Sequence, residues 1–237
     1  MAGKGRELNE ILFILWTTVV LAGVLAAWRF GGKAGVWGAI GLCIVLANLF
    51  VTKQITLFGL AATGGNSLYG AIFLATDVLN EHMGKREARR AVWFGWVCAL
   101  AFLVATQVFL LFAPSSFDFV HDAMRTLFSL SPRIVAASLV AYLVSQTHDV
   151  VAYHAWRVRT GGRKLWVRNL ASTSVSQLID SVIFTSIAFL GVFPLMVVVQ
   201  VAISTYLLKL LVALLDTPFI YLSARWMPKD RESMKEE

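Results

Sequence analysis

Residues 134–193 read IVAASLVAYLVSQTHDVVAYHAW, then RVRTGGRKLWVR, then NLASTSVSQLIDSVIFTSIAFLGVF. At 1.5 Å per residue, both apolar stretches are long enough to cross a bilayer as helices. The loop between them holds Arg157, Arg159, Arg163, Lys164 and Arg168 and no acid. Short loops of this kind stay on the cytoplasmic side, so the sequence predicts a transmembrane helical hairpin with its turn inside. The pattern recurs along the chain. Segments 9–28, 35–52, 57–79, 91–113 and 196–223 pass the same test, which brings the expected spans to seven.

Composition points the same way. Of 237 residues, 58% are hydrophobic and 15% charged, and the mean hydropathy is +0.71. A soluble domain carries about a quarter charged residues, so this chain could not keep such a surface in water. Disorder, a disulfide scaffold and a large extramembrane catalytic domain are excluded. Cys43 and Cys98 both lie in apolar segments, where cysteine acts as a small core residue. The expected class is an all-α polytopic membrane protein.

A formal charge of +7 and a pI near 9.7 would suit nucleic acid if the basic residues formed one face. They sit in short loops instead, so no nucleic-acid partner is expected and the surroundings are membrane lipid. Loop 80–90 carries Lys85, Arg86, Arg89 and Arg90, and the tail carries Arg225, Lys229, Arg231 and Lys235. Loop 114–133 has only Arg125 and Arg133, set against Asp118 and Asp122. Alternation then puts 80–90, 157–168 and the C-terminus inside, 114–133 outside, and the N-terminus outside. Trp28, Trp37, Trp93, Trp156, Trp166 and Trp226 fall near the inner ends, where indole favours the interface. The third segment is the least regular. Its Thr63-Gly64-Gly65-Asn66 stretch either breaks a helix that lines a cavity or turns between a short outer helix and a shorter span.

Ionisable groups at membrane depth are costly unless they face a cavity or a partner, which makes them functional candidates. Asp77 and Glu81 lie towards the inner end of the third segment, Asp149 in the fifth, Asp180 in the sixth, and Lys209 and Asp216 in the seventh. Asn48 closes the second. A small repeat stands out: Ser145-Gln146-x-x-Asp149 recurs as Ser176-Gln177-x-x-Asp180. A spacing of three puts Gln and Asp on one helix face, and the two helices run in opposite directions. Facing pairs would offer two carboxylates and two amides, a match for a flat ligand with a guanine-like edge. Interhelical glue is the alternative. Lys209 is too deep to reach water easily, so it should pair with Asp149 or Asp180, leaving the other carboxylate free, or touch substrate.

Other chemistries lack their residues. No GxxxxGK[ST], GxSxG or HExxH occurs, and His82, His121, His148 and His154 lack metal-ligand spacing. No catalytic residue, metal or cofactor is expected.

At these positions the chain resembles the queuosine precursor transporter family, over about residues 38–225. Four blocks carry the resemblance. They are Thr76-Asp77-x-x-x-Glu81-x-x-Gly84-Lys85-x-x-Ala88-Arg89-Arg90; Ser145-Gln146-x-x-Asp149 through Arg157; Leu165-Trp166-x-Arg168-Asn169-x-x-Ser172-Thr173-x-x-x-Gln177-x-x-Asp180 with Phe184 and Phe189-x-Gly191; and Lys209 with Asp216-Thr217-Pro218-Phe219-x-Tyr221. The resemblance implies a six-helix transporter core that imports a deazapurine, chiefly 7-cyano-7-deazaguanine, through the inner membrane. It divides the chain into an extra N-terminal helix and loop at 1–34, the core at 35–225 and a cytoplasmic tail at 226–237. Gln146, Asp149, Gln177 and Asp180 would hold substrate, with Asn48 and Asp77 completing the pocket. Glu81, His148 and Lys209 would serve coupling or ion pairing; Thr147-His148 departs from the apolar residues the family has there. A substrate-capture subunit of an energy-coupling-factor transporter is the alternative, with Ala22-x-x-x-Ala26 as a docking stripe. A non-transporting scaffold is a third reading. The preferred precursor and any assembly of identical chains stay open.

Overall fold

The computed structural model describes residues 2–129 and 132–228; Lys229, Arg231 and Lys235 of the basic tail lie outside them. Helix α1 (Ala2–Phe50) opens the chain, but Gly32 within it sits at φ 51, ψ −138, which no helix continues through. The chain reverses there. Asn9 near its start and Thr56 beyond its end are hydrogen-bonded at 3.5 Å, and the Phe58 amide donates to Glu10 Oε1 at 3.0 Å. A straight helix of this length would hold those residues tens of ångströms apart. Gly35 makes the close return possible, because a Cβ on it would run into the Ala27 carbonyl. The two arms of α1 are therefore the first two expected spans, joined with almost no loop.

A two-stranded hairpin follows, β1 (Gln54–Leu57) and β2 (Leu60–Thr63), paired antiparallel with Leu57 opposite Leu60. Phe58 and Gly59 both have positive φ, at 51° and 80°, as a two-residue primed turn requires. The expected span at 57–79 is corrected here. Residues 57–65 are hairpin and turn, not an outer helix or part of a span, and helix α2 (Asn66–Met83) begins only at Asn66. It is buried along nearly its whole length, including Asn66, Ser67, Thr76, Asp77 and Asn80. Helices α1, α3, α5 and α7 surround it. A helix covered on all sides is the axis of a bundle.

Helix α3 (Lys85–Phe109) starts six residues earlier than expected, so loop 80–90 shrinks to a single turn at Gly84 with φ 88. Loop 114–133 is not wholly irregular: it holds α4 (His121–Phe128), with no buried residue, started by Asp118 Oδ1 accepting from the Val120 and His121 amides. Then come α5 (Pro132–Arg159), α6 (Leu165–Phe189) and α7 (Leu195–Arg225). Among the described residues five helices, α1, α3, α5, α6 and α7, are long and apolar enough to cross a membrane. Among the described residues there are seven helices, but they are not the seven expected spans: one is α4, and α1 contains two.

The N-terminal arm meets the β-hairpin at one end of the bundle. The C-terminal residues reach the other, where Arg29 donates to the Met227 carbonyl at 2.7 Å. These are called the hairpin end and the basic end. Trp28 departs from its expected interfacial role. It is fully buried at the basic end, stacked on His82 at 4.8 Å, with its indole N–H on the Ser223 carbonyl. Trp93, Trp166 and Trp226 do lie exposed there.

Candidate functional site

The repeat on α5 and α6 builds the centre of the site. Ser145 Oγ lies 3.2 Å from Asp180 Oδ1, and Ser176 Oγ lies 3.0 Å from Asp149 Oδ1. Each serine thus reaches the aspartate of the other copy. Antiparallel helices carrying the same five-residue word produce this reciprocity whenever the word's face is the contact face. All four residues are buried.

Two ion pairs lie on either side of this centre. Towards the hairpin end, Lys209 of α7 pairs with Asp180, whose Oδ1 also accepts from the Tyr69 hydroxyl at 2.5 Å. The Lys209 ammonium stands over the Tyr69 ring, 4.7 Å from its centroid. Towards the basic end, Arg168 of α6 pairs with Glu81 of α2 at 2.6 Å, and Glu81 accepts from the Tyr153 hydroxyl at 3.0 Å. The Arg168 guanidinium stands over the Tyr153 ring at 5.8 Å. Both clusters therefore have one design: a carboxylate shared by a cation and a tyrosine hydroxyl, with the cation over that tyrosine's π-face. Tyr69 and Glu81 are twelve residues apart on α2, so the clusters are separated by about 18 Å of helix.

Between them lies a polar layer whose groups are only half matched. Thr173 donates to Asp77 Oδ2 at 3.4 Å, and Thr76 to Gln146 Oε1 at 3.1 Å. Asn169 donates to Asp216 Oδ1 at 2.7 Å, and Asn80 to the Val150 carbonyl at 2.9 Å. Left over, buried and unpaired, are Asp77 Oδ1, Asp149 Oδ2, Asp216 Oδ2, the Gln177 carbonyl oxygen and the Gln146 amide nitrogen. Buried polar atoms are normally satisfied, so a cluster of orphans on four helices marks the candidate site.

Six of the nine expected site residues, Asp77, Gln146, Asp149, Gln177, Asp180 and Lys209, are buried together between α2, α5, α6 and α7. Glu81 is at the basic-end cluster. His148 reaches Ser176, 2.9 Å from its Oγ, and so acts one residue removed from Asp149. Asn48 stays on the second arm of α1, its amide bonded to the Ile44 carbonyl of its own helix. Of the two pairings open to Lys209, the one with Asp180 is made, and among the described residues Asp149 has no cation paired to its carboxylate. Tyr69, Tyr153 and Arg168 were not among the expected residues; nothing in their spacing distinguishes a tyrosine that caps an ion pair from one that anchors a helix.

Length, composition and fold define a multi-pass helical membrane protein. The chain belongs to the family described as "Putative vitamin uptake transporter", whose model matches residues 63–223. It is 44% identical to the "Probable queuosine precursor transporter" of Bacillus subtilis over 226 residues, 95% of this chain and 99% of that one. It is 31% identical to the protein of the same name from Haemophilus influenzae, over 62% of this chain and 65% of that one. It is 30% identical to the "Queuosine precursor transporter" of Escherichia coli, over 62% and 64%. No solved structure matches the chain.

Proposed function

We propose that this protein takes up a 7-deazaguanine precursor of queuosine, with 7-cyano-7-deazaguanine as the preferred cargo, and that it does so in the inner membrane. Its relatives' names supply the cargo class. The observation that carries the reading is the set of orphaned atoms. A deazaguanine presents a ring N–H and an exocyclic amine beside a carbonyl. Asp77 Oδ1 and Asp149 Oδ2 are acceptors waiting for two donors, and the Gln146 amide nitrogen is a donor waiting for a carbonyl. Gln177 offers a further acceptor. Asp180 contributes at one remove, by holding Lys209 and Tyr69 beside the pocket.

In this reading the two tyrosine-capped ion pairs close the pocket at its two ends, and uptake proceeds by opening one while the other holds. The basic end faces the cytoplasm by the charge of its loops, so the N-terminus lies outside and cargo leaves past Glu81.

The test is uptake of labelled 7-cyano-7-deazaguanine into liposomes that contain this chain alone. Accumulation is expected, and Asp77→Asn and Asp149→Asn are each expected to lower it at least 100-fold with unchanged protein in the membrane. Uptake retained by both variants would remove the two carboxylates from the site. Uptake that appears only when a separate ATPase is added would favour the substrate-capture subunit instead.

A further inference from the structure

At the basic end, a groove of about 910 Å³ opens sideways between the second arm of α1 and the start of α3. We propose that it binds an anionic phospholipid, with the headgroup phosphate among Lys85, Arg86, Arg89 and Arg90 and an acyl chain beside Trp37, Trp93 and Phe94. This does not depend on what the protein transports.

Three observations converge on an amphiphile. The first is charge without partners. Among the described residues, Lys85, Arg86 and Arg89 make no ion pair, while Arg90 touches Glu87 at 3.4 Å and Glu87 is shared with Lys33. In the neighbouring basic loop three of the five cations are engaged. Arg157 donates to the Asn80 carbonyl, Arg159 stands over Trp156 at 5.9 Å, and Arg168 holds Glu81. General enrichment of basic residues on one side of a membrane explains the number of cations in both loops; it does not explain why four of them line one groove together with Trp37, Trp93 and Phe94.

The second observation is vertical order. Arg86, Arg89, Arg90, Trp93 and Val97 follow one face of α3, so the wall changes from cationic to apolar over about 16 Å of helix. That is the sequence of a lipid molecule read from headgroup to chain. Basic pockets between transmembrane helices bind such headgroups for this reason. The third is a built apolar wall. Trp37 and Phe94 pack at 5.0 Å, and the Trp37 indole N–H has no partner among the described residues. Trp93 is 53% exposed, so its ring is left open to whatever fills the groove.

The test is thermal unfolding of the full chain in neutral detergent, with phosphatidylglycerol, with phosphatidylcholine of the same chains, or with inorganic phosphate. Phosphatidylglycerol is expected to raise the midpoint by about 5 °C, with little change from the other two. The triple variant Lys85→Gln, Arg86→Gln, Arg89→Gln should lose that shift. Equal shifts from both lipids, a shift from phosphate alone, or an undiminished response in the variant would each overturn the proposal. Should the variant not fold, photo-crosslinking of wild-type protein with a photoactivatable phosphatidylglycerol decides. Labelling within residues 85–97 supports the site, and labelling confined elsewhere sinks it.

Discussion

The clusters at the two ends of the polar layer share a design and differ in how they are held. Asp180 and Lys209 lie wholly among helices: their side chains are 4% and 9% exposed, and Asp180 takes further contacts from α2 and α5. Arg168 is equally buried, but its guanidinium also donates to the Gly162 and Arg163 carbonyls in the turn before α6, and its partner Glu81 is 15% exposed. A flexible ammonium therefore faces a deeply buried carboxylate at one end. At the other, a planar fork is tied to backbone and shares a carboxylate with solvent. The lesson is that one cation–acid–tyrosine motif can be made sensitive to partner loss or to geometry, according to depth and choice of cation.

Changes at five positions in the two clusters separate these two sensitivities. Lys209→Met leaves Asp180 buried without its cation and is expected to cost about 3–5 kcal/mol of stability in detergent, measured by chemical unfolding. Adding Asp180→Leu should restore most of that loss; a double variant as weak as the single would show that packing, not stranded charge, is responsible. Arg168→Lys keeps the charge and loses the fork, so about 2 kcal/mol should disappear although Glu81 remains paired. No effect there would make the basic end as simple as the hairpin end. Tyr69→Phe removes a hydrogen bond to a buried carboxylate while keeping the ring under Lys209, for an expected 1.5 kcal/mol or about that. Tyr153→Phe should cost the least, about 0.5–1 kcal/mol, because Glu81 can turn to water. If Tyr153→Phe proved the costlier of the two, depth would not be what distinguishes the clusters.

Much of this is legible from the sequence because its signals are local. Loop charge, span length and the Ser-Gln-x-x-Asp repeat are read within a few turns of one helix, and the structure brings the two copies face to face. Partner choice is not local. Whether Lys209 takes Asp149 or Asp180 depends on where α7 crosses α6, and no spacing within α7 encodes that. The β-hairpin was missed for a different reason. Residues 57–62 read LFGLAA, and a short apolar run of this kind has no periodicity to separate strand from helix. Its turn uses Phe58-Gly59 where Asn-Gly would announce it, and Phe58 adopts its positive φ in a place held by Glu10 from the other end of α1. The fate of Trp28 was equally out of reach: only the arrival of His82 and Ser223 from other helices turns an interfacial residue into a core one.

The close reversal of α1 also fixes what can serve as a ruler. With Gly35 seated against the Ala27 carbonyl, its arms have no slack to slide or spread, and the pair must travel as one body. Two fluorophores placed on the exposed positions Leu15 and Leu42, with Cys43 and Cys98 replaced, would report a constant separation while cargo passes. One of them paired with a position on α7 would report the movement itself. The molecule thus carries its own internal standard against which every other displacement can be calibrated.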